Sequence, residues 1–292
     1  MSRAFFKGAI ATVLFASAPA CISMVAMDSY ALGVWRLSLA AAGLTVMLVI
    51  QGRSLREIAR QARREMRILI VVGLCFGLHW LSFFQSIKLA NPSIGALAFS
   101  TCGVQIPLLG WLMGLGRPSA LAMAGVAVAM GGSVLCVPAS TPAGNQALGM
   151  VIGVISGTFY AVLPVLHQRH ARIDNELRTW AQFTFALPVF LVMAPAAHWA
   201  LPARDVWVIL YLSLVVNLIG HYLWVQMSTE LPLSTISVLG YVQLPTSLAI
   251  NALVVDDDLT ASMLVGAACI VVGNVMALPR RKHVVEEFVE GQ

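Results

Sequence analysis

Ten stretches of mostly apolar residues, each long enough to cross a bilayer as a helix, divide this 292-residue chain. They lie near 5–27, 30–50, 68–88, 92–116, 119–138, 147–166, 179–198, 206–226, 232–254 and 260–278. A spanning helix needs about 20 such residues, and hydrocarbon leaves few alternatives because it offers no partner to an open backbone group. Composition agrees: 59% of residues are hydrophobic and 11% charged, where an average soluble domain carries about 25% charge. The sequence predicts an all-α polytopic membrane protein with ten transmembrane helices.

Lysine and arginine are retained on the cytoplasmic side of a membrane, so their placement predicts orientation. One set of loops collects Arg3, Lys7, six arginines from Arg53 to Arg67, Arg117, Arg169, Arg172, Arg178 and 280–282, fifteen of the eighteen. The opposite loops hold Lys88, Arg204 and the acidic run Asp256–Asp258. Both termini are expected in the cytoplasm. The net charge of +5 then needs no nucleic-acid partner: "RSLREIARQARREMR" (53–67) reads as an orienting loop rather than an RNA or lipid site. The remaining cation, Arg36, falls inside a span and either snorkels outward or pairs with carbonyls to shape an outer vestibule.

"MSRAFFKGAIATVLFASAPAC" has the basic start and small-residue site of a signal peptide, but apolar character continues to Met27, so retention as the first span is expected. Cysteines 21, 75, 102, 136 and 269 all fall inside spans without C-x-x-C spacing, which suits small apolar fillers.

The chain repeats itself. "HWLSFFQSIKLANPS" (79–93) is echoed by "HYLWVQMSTELPLS" (221–234), with His79, Gln85 and Ser93 matching His221, Gln226 and Ser234. Gln105-Ile-Pro107 corresponds to Gln243-Leu-Pro245, and Gly125 and Gly132 to Gly266 and Gly273. Two five-helix repeats follow, at 5–138 and 147–278, ahead of a cytoplasmic tail at 279–292. Five spans is an odd number, so the second repeat is inverted relative to the first. Inverted repeats suit secondary transporters, whose sites lie near the midplane where the halves meet.

Candidate site residues follow from depth. An ionisable group at the bilayer centre usually faces the bundle interior or a water-filled path, which singles out His79, near the middle of its span, and its counterpart His221. At helical spacing His79, Ser82 and Ser86 form a polar stripe. The plain alternative is a neutral His79 hydrogen-bonded to a neighbouring helix. A proline inside a span frees a carbonyl one turn back, which protein or a water-filled cavity must satisfy, and Gln105 and Gln243 lie at that depth. Six of the seven tryptophans fall toward span ends, as an interfacial belt would place them. Trp80 does not, and with Phe99, Tyr160 and Tyr241 it would form an aromatic wall able to stack on a ligand or hold an ammonium group.

These features resemble the drug/metabolite transporter superfamily, in its ten-span EamA branch. The likeness is carried by "QSIKLANPSIGAL" and "QMSTELPLSTISVL", the paired Gln-x-Pro spans and the glycine-rich "GVAVAMGG" and "GAACIVVGN". It implies a bacterial cytoplasmic (inner) membrane protein that exports amino acids or similar small metabolites by alternating access, without an enzyme activity, cofactor or metal, and acting as a monomer. Within the branch the chain looks most similar to YddG-type exporters of aromatic amino acids. Many members carry an acidic residue before the last span of each half; Asp257 or Asp258 takes that place in the second half, and Arg117 stands near it in the first.

A multidrug exporter of the same superfamily is the main rival. The span interiors carry no Asp or Glu, which argues against glutamate-mediated proton coupling and leaves histidine coupling or downhill flux. A remote alternative is a membrane haem protein with His79 and His221 as axial ligands.

Overall fold

The computed structural model describes residues 3–114, 119–136, 144–231 and 233–277, and among these the chain is helical, with no strand. Its first part holds α1 (Arg3–Ala16), α2 (Ala18–Met24), α3 (Ser29–Ile50), α4 (Leu55–Arg64), α5 (Met66–Leu89), α6 (Pro92–Ser100), α7 (Cys102–Leu112) and α8 (Ala120–Leu135). Its second holds α9 (Gly144–Arg169), α10 (Asn175–Thr184), α11 (Leu187–Leu191), α12 (Ala203–Leu210), α13 (Tyr222–Glu230), α14 (Leu233–Val254) and α15 (Ala261–Ala277). A π-helical segment, Tyr211–His221, joins α12 to α13.

Local chemistry sets the helix starts. Asp28 caps α3, its Oδ1 accepting from the backbone N–H groups of Tyr30 and Ala31 at 2.9 Å each. Ser54 and Glu57 form a reciprocal capping box on α4, and these hydrogen bonds hold the Glu57 carboxyl below its ordinary pKa. That helix is amphipathic, burying Ile58 and Ala62 while its arginines face outward, as an orienting loop should. Pro188 and Pro195 break the segment expected at 179–198 into α10, α11 and a 3-10 turn, because proline cannot donate to the turn behind it.

Among the described residues, six segments are long and apolar enough to cross a membrane: Arg3–Met24, Ser29–Ile50, Met66–Leu89, Pro92–Leu112, Asn145–Arg169 and Ala203–Glu230. Of the other four expected spans, two differ for visible reasons and two reach outside the described residues. α10 and α11 are interrupted, and α14 includes side chains outside the described residues. α8, with 16 residues, is apolar but short, and α15 runs up to Ala277, the last described residue. At 1.5 Å per residue α8 reaches about 24 Å, less than a hydrocarbon core of about 30 Å. The tail at 279–292, Arg117 and the cations at 280–282 lie outside the described residues.

The two parts of the chain pack through each other. α5 lies against α9, while α1 lies against α13 and the π segment; α6 and α7 also lie on α9, and α14 on α1. α3 packs on the π segment, and α10 on α5. α8 pairs with α15, and α3 with α10. Small residues permit the α8–α15 approach: a Cβ on Gly273 would fall 2.4 Å from the Gly125 carbonyl oxygen, and one on Gly266 2.6 Å from that of Gly132.

Side-chain bonds tie both ends of this bundle. At one end Asp205 accepts from the Ala26 N–H at 2.8 Å, Asp28 from the His198 N–H at 2.6 Å, and Lys88 donates to the Val25 carbonyl. At the other, Lys7 pairs with Glu230 at 3.5 Å, Arg53 with Asp174 at 2.9 Å, and Gln168 donates to the Leu231 carbonyl at 2.9 Å.

Candidate functional site

Between the tied ends lies a cluster of aromatic rings. On α5, Phe76, His79, Trp80 and Phe83 fall at i, i+3, i+4 and i+7, so one helix face presents them together. Phe99 on α6 and Tyr160 on α9 close on that face, with ring centroids 5.2 Å and 4.8 Å from His79 and 5.0 Å from each other. His221 stacks against Phe15 at 4.4 Å, meets Phe76 edge-on at 4.7 Å, and lies 5.7 Å from Trp80.

Beside this cluster is a narrow cavity of about 20 Å³, room for one water molecule. Phe99, Cys102, Tyr160, Trp224, Gln243 and Ser247 are among its lining residues. They come from α6, α7, α9, α13 and α14, so the cavity lies where the two parts of the chain meet.

The expected site residues separate into groups. Phe99, Tyr160 and Gln243 line the cavity. His79 is not among the lining residues: its Nδ1 lies 2.8 Å from the Ser156 Oγ and 3.2 Å from the Ser156 carbonyl oxygen. Gln105 donates to Thr101 Oγ1 at 2.9 Å and to the Val154 carbonyl at 3.3 Å. Trp80 and His221 belong to the aromatic cluster, and the Tyr241 side chain lies outside the described residues.

Three sequence expectations need correction. The stripe His79–Ser82–Ser86 is not one polar surface. His79 bonds α9 at Ser156, and Ser86 bonds it two turns away, at the Gly149 carbonyl (2.7 Å). Ser82 turns back to the Leu78 carbonyl of its own helix. Arg36 neither snorkels nor binds backbone carbonyls: it is 0% exposed, donates to Asn217 Oδ1 at 2.6 Å, and holds its guanidinium 4.2 Å above the Trp80 ring. Trp224, expected in an interfacial belt, is 3% exposed and lines the cavity. Its position three residues after His221 was the available signal, since that spacing places both on one helix face. Asn217 precedes His221 by four and carried the same signal.

The haem alternative fits this geometry poorly. Phe15 and Phe76 pack against His221 with ring centroids at 4.4 Å and 4.7 Å, so a macrocycle there would have to displace both rings. Asp257, expected before the last helix, accepts from the Ser93 N–H at 2.9 Å and so caps α6, together with Asn91, which accepts from Ile94 N–H at 2.7 Å. An acid from late in the chain thereby holds the start of a helix from its first part.

Comparison with known proteins adds the family signal. Residues 147–278 match the EamA-like transporter family. That family comprises small-molecule transporters of the drug/metabolite transporter superfamily. With the six apolar helices, this EamA-like domain marks a multi-pass membrane protein. A solved crystal structure superposes on the chain with a TM-score of 0.70 and 19% identity, over 95% of this chain and 96% of its own length, and so shares the fold. A search of curated proteins found no match.

Proposed function

We propose that the whole chain is an EamA-type secondary transporter that exports amino acids, aromatic or bulky neutral ones, by alternating access. The carrying observation is the small aromatic-lined cavity where α6, α7, α9, α13 and α14 meet, in a bundle tied by side-chain bonds at both ends. Phe99, Tyr160 and Trp224 offer faces for an aromatic body, and Gln243 and Ser247 offer polar partners for a head group.

The reading includes ten spans in two inverted five-helix repeats, with termini in the cytoplasm and an inner-membrane location. The exchange of packing partners supports the repeats. α9 takes α5, α6 and α7 as neighbours, and α1 takes the corresponding later elements: the π segment, α13 and α14. Such exchange is what a two-fold axis through the α3–α10 and α8–α15 contacts would produce. Breaking one set of end contacts while keeping the other would open the cavity to one side at a time.

Cells overproducing the chain should tolerate toxic aromatic amino acid analogues by keeping their internal concentration low. Unchanged accumulation, with the protein verified in the membrane, would refute the export reading. Counterflow in proteoliposomes with labelled amino acids then assigns the substrate.

A further inference from the structure

Among the described residues two arginines are deeply buried, and they differ in one respect. Arg178 is 1% exposed and saturated: it donates to the Ile173 carbonyl at 3.0 Å, the His167 carbonyl at 2.5 Å, Thr229 Oγ1 at 2.9 Å and Asn175 Oδ1. Arg36 is 0% exposed and donates to a single acceptor, the neutral amide of Asn217, leaving its Nε and Nη1 without a partner. The ion pairs among the described residues are Lys7–Glu230, Arg53–Asp174, Arg172–Glu65 and Arg204–Asp205, so no carboxylate offsets the Arg36 charge.

Charge within apolar surroundings is costly unless paired, and such residues mark ligand or ion paths. The Trp80 and Phe84 rings, 4.2 Å and 5.0 Å from the guanidinium carbon, offset part of the cost but accept no ordinary hydrogen bond. The surplus of donors extends to the neighbours. Trp80 Nε1 is buried without a partner, and so are both ring nitrogens of His221, whose ring lies 5.7 Å from that of Trp80. Trp224 Nε1 and the Tyr160 hydroxyl, at the cavity wall, are also unpartnered. Phe15 links the two groups, touching His221 at 4.4 Å and Trp224 at 5.7 Å.

We propose that Arg36, with Trp80 and His221, binds the carboxylate of a small organic ligand. A carboxylate supplies the missing charge and accepts from several donors at once, which an amide or alcohol does not. Asn217 and His221, four residues apart in the π segment Tyr211–His221, are both buried and so face this interior together. On the transport reading, which this inference deepens, the ligand is the substrate: its carboxylate lies at Arg36 and its body extends toward Phe99, Tyr160 and Trp224 when the bundle opens.

The test uses the purified full chain, with the thermal unfolding midpoint as readout, titrated with L-phenylalanine and 3-phenylpropionate and with the amide of each. The acids should raise the midpoint, the amides should not, and Arg36→Gln should weaken the acid response at least tenfold. Asn217→Asp places an internal carboxylate beside Arg36; it should raise the midpoint without ligand and remove the response to the acids. Equal responses to acid and amide, no response to either acid, a response to chloride alone, or an unchanged acid affinity in Arg36→Gln would overturn the proposal. Should Arg36→Gln fail to fold, an acid response retained by Asn217→Asp overturns it instead. Acid-selective binding without flux in proteoliposomes would remove the transport reading and keep the site. Equal flux of acids and amides would do the reverse.

Discussion

His79 and Ser156 are bonded twice: the serine hydroxyl donates to the His79 carbonyl at 2.9 Å, and His79 Nδ1 lies 2.8 Å from the same hydroxyl oxygen. A serine has one hydroxyl proton, so with that proton on the carbonyl the imidazole carries its hydrogen on Nδ1 and donates it. This pair locks α5 to α9 near the aromatic cluster. His79→Ala removes both a buried ring and that donor, and should lower stability by about 1–3 kcal/mol. Ser156→Ala should cost less, because the Ser156 carbonyl oxygen, 3.2 Å from Nδ1, remains as an acceptor. Unfolding midpoints of the two variants check the order. A stable His79→Ala protein with lost transport would instead place His79 on the ligand path.

Close packing of α8 on α15 gives a second expectation. A Cβ on Gly273 meets backbone: the Gly125 carbonyl oxygen at 2.4 Å and the Ala129 nitrogen at 2.7 Å. Backbone cannot rotate aside, so Gly273→Ala should destabilise by about 1–3 kcal/mol, the range for overpacking. Gly131→Ala, on the same helix pair but with no atom within 4 Å of its Cβ position, should be neutral. Thermal unfolding of the two variants makes the comparison.

The cap on α6 depends on Asp257 across 164 residues of sequence. Asp257→Ala should cost about 0.5–2 kcal/mol, the usual range for a lost cap. Asp257→Asn retains a side-chain oxygen and should recover most of it. The neighbouring Asp258→Ala supplies the control in the same measurement.

Topology can be read with reporters. Fusions within 53–67 and after Lys282 should both report the cytoplasm, and one at Asp256–Asp258 the opposite side, as the distribution of arginine and lysine requires. An external reporter at 53–67 would overturn the orientation.

Much of the helical layout was legible in the sequence, because a chain in hydrocarbon must satisfy its backbone within each segment, whatever that segment packs against. Run length therefore located Ser29–Ile50 and Met66–Leu89 without knowledge of any partner. Internal echoes paired His79 with His221 and Gly125 and Gly132 with Gly266 and Gly273, and the glycine pairs meet in the folded chain, Gly125 against Gly273 and Gly132 against Gly266. What a polar side chain touches was not legible, because that depends on residues brought close from far along the chain. Two turns from a span end, Arg36 has the reach to snorkel; only packing places Asn217, 181 residues away, against its guanidinium and Trp80 beneath it. His79 gave no sequence signal for choosing between cavity and brace, and Ser156 decides its bonding in the folded chain. The π winding at Tyr211–His221 was equally hidden, since a change of hydrogen-bond register leaves apolar content unchanged.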